Sequence, residues 1–345
     1  MNSRERVVRT LLHQPVDRLP REPWMLPGIA MHRTEEMNAF NRDFPSDFTD
    51  PGVGYNPGKR CKGTPNVVGQ YTDAWGCTFH VKEDGVIGEV KHALFENDYE
   101  GLEDYEAPWE LLENLDREKI ALKCASTDKF VLAGTETRPF ERMQFLRGTE
   151  DLFCDLALDD PNIYILRDKL HEFFLAEMKF WASTPVDGVS FMDDWGTQRA
   201  LLISPKMWRT FYKPLYKEYC DILHDAGKFV FFHSDGHIEA IYPDLIEIGV
   251  DAVNSQLFCM DIEKLGLEYA GKITFWGEID RQRILPFGTE EEARAAVRRV
   301  YNALCPDGKL TGVIAQCEWG VKDPGANVAA VFDEWDAIAR EQKKR

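Results

Sequence analysis

A chain of 345 residues, 44% of them hydrophobic and with no Ser-rich or Gln-rich tract, is long enough to bury a large core and reads as a globular protein. Its formal charge of −18 disfavours nucleic acid and anionic membrane surfaces as partners. The longer apolar stretches are broken by charge, so no membrane span is expected.

The opening MNSRERVVRTLLHQPVDR has neither a long apolar core nor a small-residue cleavage site. It is predicted to form an amphipathic helix, and a cytoplasmic protein is expected. The eight cysteines (Cys61, Cys77, Cys124, Cys154, Cys220, Cys259, Cys305 and Cys317) form no CxxC pair and no even ladder. Most are therefore expected to be buried small hydrophobes rather than disulfide partners.

Along the chain, apolar runs at 18–25, 129–136, 188–196, 228–236, 251–256, 273–279 and 312–319 each end in polar residues or glycine and are read as strands. Helical period fills the intervals. Residues 163–183 form one such segment, 291–304 place Ala293, Val297, Val300 and Leu304 on one face, and 328–339 do the same with Val331, Phe332, Trp335 and Ile338. Strands alternating with helices imply an α/β fold with a parallel sheet. Seven candidates over this length favour a (β/α)8 TIM barrel over an open doubly wound sheet, although an eighth strand is not evident. No Gly-rich phosphate fingerprint follows the first strand, which counts against a dinucleotide-binding domain. The alternation breaks at about 47–96. There a Pro-, Gly- and Asp-rich stretch around Asp47 leads into YTDAWGCTFHVKEDGVIGEVKHALF, predicted as a β-hairpin turning at Glu83-Asp84-Gly85. This region reads as an insertion at the barrel mouth, a lid or packing, within one domain spanning 1–345.

Chemistry-bearing residues gather where the strands stop, the end at which barrel active sites sit. In FVFFHSDGH, His233 and Asp235 are two apart and so share a face of an extended strand, with Gly236 opening the loop. They form a metal half-site, a general-base pair, or only a histidine capping its strand. GVIAQCEWG offers Gln316, Cys317 and Glu318 at another strand end, and FMDDWGTQ offers Asp193 and Asp194. Paired carboxylates are costly there unless solvated, protonated or engaged with a ligand. Glu278 in FWGEID and the run Asn254-Ser255-Gln256 add two further polar ends. The plain alternative for Asp194 and Glu278 is a salt bridge to a neighbouring strand. Asp193, Asp194 and Glu278 are the candidate catalytic acids. Trp195, Gln198, Gln256 and Trp276 are placed to wall a small-ligand pocket, the alternative being indoles packed between strands and helices.

These segments carry a resemblance. HQPVDRLP, DDWGTQ with LISPKMWRTFYKPLY, FFHSDGHIEAIYPDLIEIGVDAVNSQ, WGEIDRQRILPFGTEEE and AQCEWGVKDPGANVAAVFDEW resemble the uroporphyrinogen decarboxylase superfamily, and within it the cobalamin-linked methyltransferases. The resemblance runs nearly end to end and implies a (β/α)8 barrel. It also implies zinc held by a His-x-Cys pair and a distant cysteine, a pattern that falls on His233, Asp235 and Cys317. Asp235 departs from it, standing where a thiolate would be, and Glu278 or His237 is a possible further ligand.

The departure has a direction. A carboxylate donates less charge than a thiolate, so a His/Asp/Cys zinc is a harder Lewis acid. The coenzyme M-type enzymes use zinc to ionise a thiol, whereas a harder site suits an oxygen donor whose methyl passes to the cobalamin of a partner corrinoid protein. Gln316 and Glu318 would contact substrate, and the resemblance suggests a homodimer. Uroporphyrinogen decarboxylation is the rival. Against it, the RQAGR segment of the decarboxylases is replaced by REPWMLPGIA, their C-terminal GHG is replaced by Gln316-Cys317-Glu318, and an eight-carboxylate substrate would meet five acids in one cleft. A non-catalytic ligand- or corrinoid-binding barrel is the third reading.

Overall fold

The computed structural model describes residues 1–55 and 57–344. Its centre is a ring of short parallel strands: β1 (Trp24–Met25), β2 (Phe48–Thr49), β3 (Phe130–Gly134), β4 (Gly188–Met192), β5 (Phe229–Ser234), β6 (Ala252–Ser255), β7 (Thr274–Trp276), β8 (Val313–Ile314) and its continuation β9 (Glu318–Trp319). Strands β2 to β8 form one seven-stranded sheet in chain order, and β1 pairs with β9. A bridge between Arg21 and Ala315 joins the first run to the last, and the Asp47 amide donates to the Arg21 carbonyl at 2.9 Å. The barrel therefore closes with eight strand positions, as the sequence pattern predicts.

The missing eighth strand is β2. It is two residues long, paired Phe48 to Phe130 and Thr49 to Val131, and it lies at the start of the region read from sequence as an insertion. A two-residue strand carries no alternation that could announce it. Closure at this point is held by the buried Asp47. Its carboxylate accepts from Arg6 at 2.7 Å, Arg18 at 2.6 Å, Ser3 at 2.7 Å and the Arg21 amide at 2.9 Å. Burial alone would raise the Asp47 pKa, but these donors hold it below the usual carboxylate range.

Strand alternation sorts the core into two layers. Phe48, Phe130, Leu132, Phe231, Trp276 and Ile314 fill the barrel, where Val7 and Leu11 of the N-terminal helix Ser3–Leu11 join them. Val131, Val189, Phe232, Val253, Phe275 and Val313 face outward into the larger core shared with the helices. The predicted helices occur as Pro161–Ala182, Glu290–Leu304 and Gly325–Gln342. The predicted hairpin is a three-stranded antiparallel sheet, Gly69–Thr72, Thr78–Val81 and Glu89–Val90. Glu83-Asp84-Gly85 lies in its second connection. The first is a tight turn in which Asp73 accepts from the Cys77 amide at 2.8 Å. No described helix is long and apolar enough to cross a membrane.

Candidate active site

Register brings β4, β5 and β6 level at their C-terminal ends: Met192 pairs with His233, and His233 with Asn254. His233 points into the barrel mouth, and its Nε2 lies 3.5 Å from Asp194 and 3.6 Å from Asp235. The three ligand atoms lie within 4.8 Å of one another. On its other side, His233 Nδ1 is 2.7 Å from Asn254 Oδ1. The Asp235 backbone amide donates to the Asp194 carboxylate at 2.8 Å, which fixes that carboxylate beside the end of β5. Burial disfavours a charged imidazole, yet Asp194 and Asp235 outweigh it and bring the His233 pKa up to about 9. Burial likewise works against ionised Asp194, but the contact with His233 keeps its carboxyl below the ordinary value.

This group fits a divalent metal. Donors arranged tetrahedrally at about 2.0–2.2 Å from an ion stand roughly 3.3–3.6 Å apart, and both carboxylate oxygens lie at such separations from His233 Nε2. Oδ1 of Asp235 is buried with no hydrogen-bond partner among the described residues. The donor set is one nitrogen and two oxygens, so the second carboxylate comes from Asp194.

Cys317 does not join this group. Along the last strand position Ile314 faces the barrel interior, whereas Val313, Ala315, Cys317 and Trp319 belong to the apolar layer against the helices. The thiol is fully buried, and burial drives its pKa well above the ordinary value. The expectation of Cys317 as a ligand is therefore corrected.

Asp193 is corrected for the same reason of alternation. It turns away from its neighbour Asp194 and caps the helix Pro139–Arg147, accepting from the amides of Phe140 and Glu141 at 2.7 Å each and from the Tyr216 hydroxyl at 2.5 Å. Its acceptor capacity is spent on structure. Trp195 is corrected too. It is fully buried, stacked on Phe140 at 4.0 Å, and donates to the Tyr216 hydroxyl at 3.1 Å, behind the sheet rather than in a pocket wall.

Three of the remaining candidates line a cavity at the mouth. Gln198, Gln256 and Glu278 enclose about 420 Å³ together with Cys259, whose single S–H lies within reach of the side-chain oxygen of either glutamine, at 3.3 and 3.2 Å. Burial pushes the Glu278 carboxyl up to about 8 despite Arg281 nearby. Glu318 pairs with Arg281 at 2.7 Å, and Arg281 also grips Asp235 and lies 3.6 Å from Glu278. Gln316 is buried with both amide atoms unpartnered among the described residues. Trp276 lies inside the barrel and donates to Glu22 at 2.6 Å.

Sequence reasoning missed three contributors: Arg281, Glu22 and the role of Asn254. Arg281 stands three residues after Glu278, and Glu22 two before Trp24, a spacing that puts it on the same strand face. Both signals are weak without the register.

Residues 71–338 match the family described as uroporphyrinogen decarboxylase (URO-D), and the chain belongs to that family. Among solved structures it is similar to a methyltransferase from Methanosarcina mazei, at 15% identity over 98% of this chain and 99% of that chain, with a TM-score of 0.72. At this identity the likeness establishes the barrel fold alone. An endo-β-1,4-xylanase of glycoside hydrolase family 10 from Gloeophyllum trabeum is 12% identical over 63% of this chain and 79% of that chain, with a TM-score of 0.38, too low to carry an argument. A comparison with curated proteins finds no match.

Proposed function

We propose that this chain is a zinc-dependent methyltransferase moving a methyl group from a small oxygen-methylated substrate to, or from, the cobalamin of a corrinoid partner protein. The observation that carries the reading is the cluster of Asp194, His233 and Asp235 at the barrel mouth, with Nδ1 of His233 engaged by Asn254 and an oxygen of Asp235 left without a hydrogen-bond partner among the described residues. These three residues would hold the metal, which when bound supplies Lewis acidity toward an ether or alcohol oxygen. A set with no thiolate carries further the hardness argument made above from Asp235.

The chain's own groups fill the other roles. Asn254 fixes the imidazole tautomer, and Arg281 offsets the charge of Asp235 and Glu318. Glu278 holds a proton at neutral pH beside the mouth cavity, where it can be given to a departing oxygen. Gln198 and Gln256 orient the substrate, and Gln316 offers an amide with unspent donors and acceptor.

Decarboxylation of uroporphyrinogen is the second reading, favoured by the family match itself. Against it stands the acid-rich mouth, where a polycarboxylate would meet Asp194, Asp235 and Glu318.

Metal analysis with a methylation assay tests the proposal. About one zinc per chain is expected in the purified protein, lost in His233→Ala, together with methylation of reduced cobalamin by methyl ethers. Metal-free protein that keeps its ligand affinity in chelator would make this a binding barrel, and release of carbon dioxide from uroporphyrinogen would make it a decarboxylase. A thiol turned over faster than any methyl ether would overturn the oxygen-donor assignment. Light scattering checks the homodimer.

A further inference from the structure

A second cavity, of about 440 Å³, opens on the other side of the barrel mouth and is lined by Glu22, Trp24, Phe48, Asp50, Leu132 and Trp276 among others. Its lining includes two carboxylates and three aromatic rings, and no lysine or arginine. Trp24 is only partly buried, and the fully buried Trp276 packs against it edge to face, with centroids 5.1 Å apart and planes at 88°, so an aromatic corner backs the cavity. Trp24 is shared with the metal cluster, its ring 5.2 Å from that of His233. Into this corner Glu22 brings a carboxylate that accepts from the Trp276 indole at 2.6 Å. Among the described residues no cationic side chain pairs with it. Burial raises the Glu22 pKa to about 8, because indole donors alone do not compensate a desolvated carboxylate.

From this combination we infer that the cavity is a site for a cationic methylated-ammonium group. The partly exposed ring of Trp24 attracts a diffuse positive charge through its quadrupole, and such a contact strengthens when desolvated. A quaternary ammonium has no N–H to satisfy, so aromatic walls suit it better than a hydrogen-bonding pocket would. A cation seated beside Glu22 favours its ionised form, so the carboxyl gives up its proton on binding and becomes the counter-charge, and Asp50 lies at the same cavity. A neutral ligand leaves Glu22 protonated and gains nothing from it, and an anionic one opposes its ionisation.

The inference deepens the methyl-transfer reading, and rests on it only in taking the ammonium to be part of the substrate. Binding itself requires neither metal nor corrinoid, so the two fail separately. If ammonium binds and no methyl is transferred, only the reaction is wrong; if methyl is transferred and no ammonium binds, only this site is wrong.

The test is calorimetric titration of the full chain with choline and with its uncharged isostere 3,3-dimethylbutan-1-ol, tryptophan fluorescence serving as a second readout. Choline is expected to bind about tenfold tighter or more, a gap of roughly 1.4 kcal/mol. Glu22→Gln should erase that preference, while tetramethylammonium should compete with choline on the wild-type chain. Equal binding of choline and the alcohol, no choline binding at millimolar concentration, or a preference retained in Glu22→Gln would each overturn the inference. The ligand comparison on the unaltered protein decides the matter even if the variant is unstable.

Discussion

Nδ1 of His233 and Oδ1 of Asn254 are 2.7 Å apart, and the Asn254 side-chain nitrogen is committed to the carbonyl of Trp276. The amide can therefore only accept from the ring. Nδ1 of His233 keeps its proton whether the ring is charged or neutral, and the proton that a metal would displace is the one on Nε2, which faces Asp194 and Asp235. Removing the amide should release the imidazole. Asn254→Leu is expected to weaken zinc binding by about 10–100-fold, measured by competition with a chelator. Unchanged affinity would show that the carboxylates orient the metal without help from the ring's second contact.

Cys317 lies in the outer core, not at the metal cluster. Cys317→Ala should leave zinc content and methyl transfer intact while destabilising the fold by roughly 1 kcal/mol, the scale of a small buried truncation. Denaturant unfolding and metal analysis on the same preparation check this. Loss of zinc at unchanged stability would return the thiol to the metal.

Glu22 provides a pH test. Its folded pKa is raised from 4.5 to about 8, so the folded chain holds a proton there that the unfolded chain releases. The stability this confers is fully present below about 4.5 and is lost as pH rises toward about 8. Glu22→Gln, neutral throughout, should match the wild type near pH 4.5. It should become progressively more stable than it up to about pH 8, by a gap on the order of a few kcal/mol. Glu278 shifts the same way and remains in both proteins, so only the difference between them reports Glu22. A gap that does not widen with pH would mean that Glu22 ionises freely.

Gln316 keeps a buried amide without partners, a cost of about 1–3 kcal/mol that a substrate contact would offset. Gln316→Leu should therefore raise the melting temperature and lower kcat/KM for methyl transfer. A variant with both values unchanged would remove Gln316 from the substrate contacts.

The amino-acid sequence by itself determined the barrel and half of the site. Seven apolar runs with helical period between them specify alternating strands and helices, and the two-residue spacing of His233 and Asp235 puts both on one strand face whatever surrounds them. Both are local properties, set by backbone period. What only tertiary structure decided is which face looks inward and which groups meet across strands. The run from Gly312 to Trp319 is buried on both sides, so its apolar pattern does not say whether Gln316 or Cys317 enters the barrel. Asp193 and Asp194 are adjacent and must point apart, and the helix start at Pro139–Arg147 claims the first. The two-residue β2 exists only because Phe130 and Val131 stand beside it. Glu22 meets Trp276 across more than two hundred residues, a contact that barrel closure alone creates.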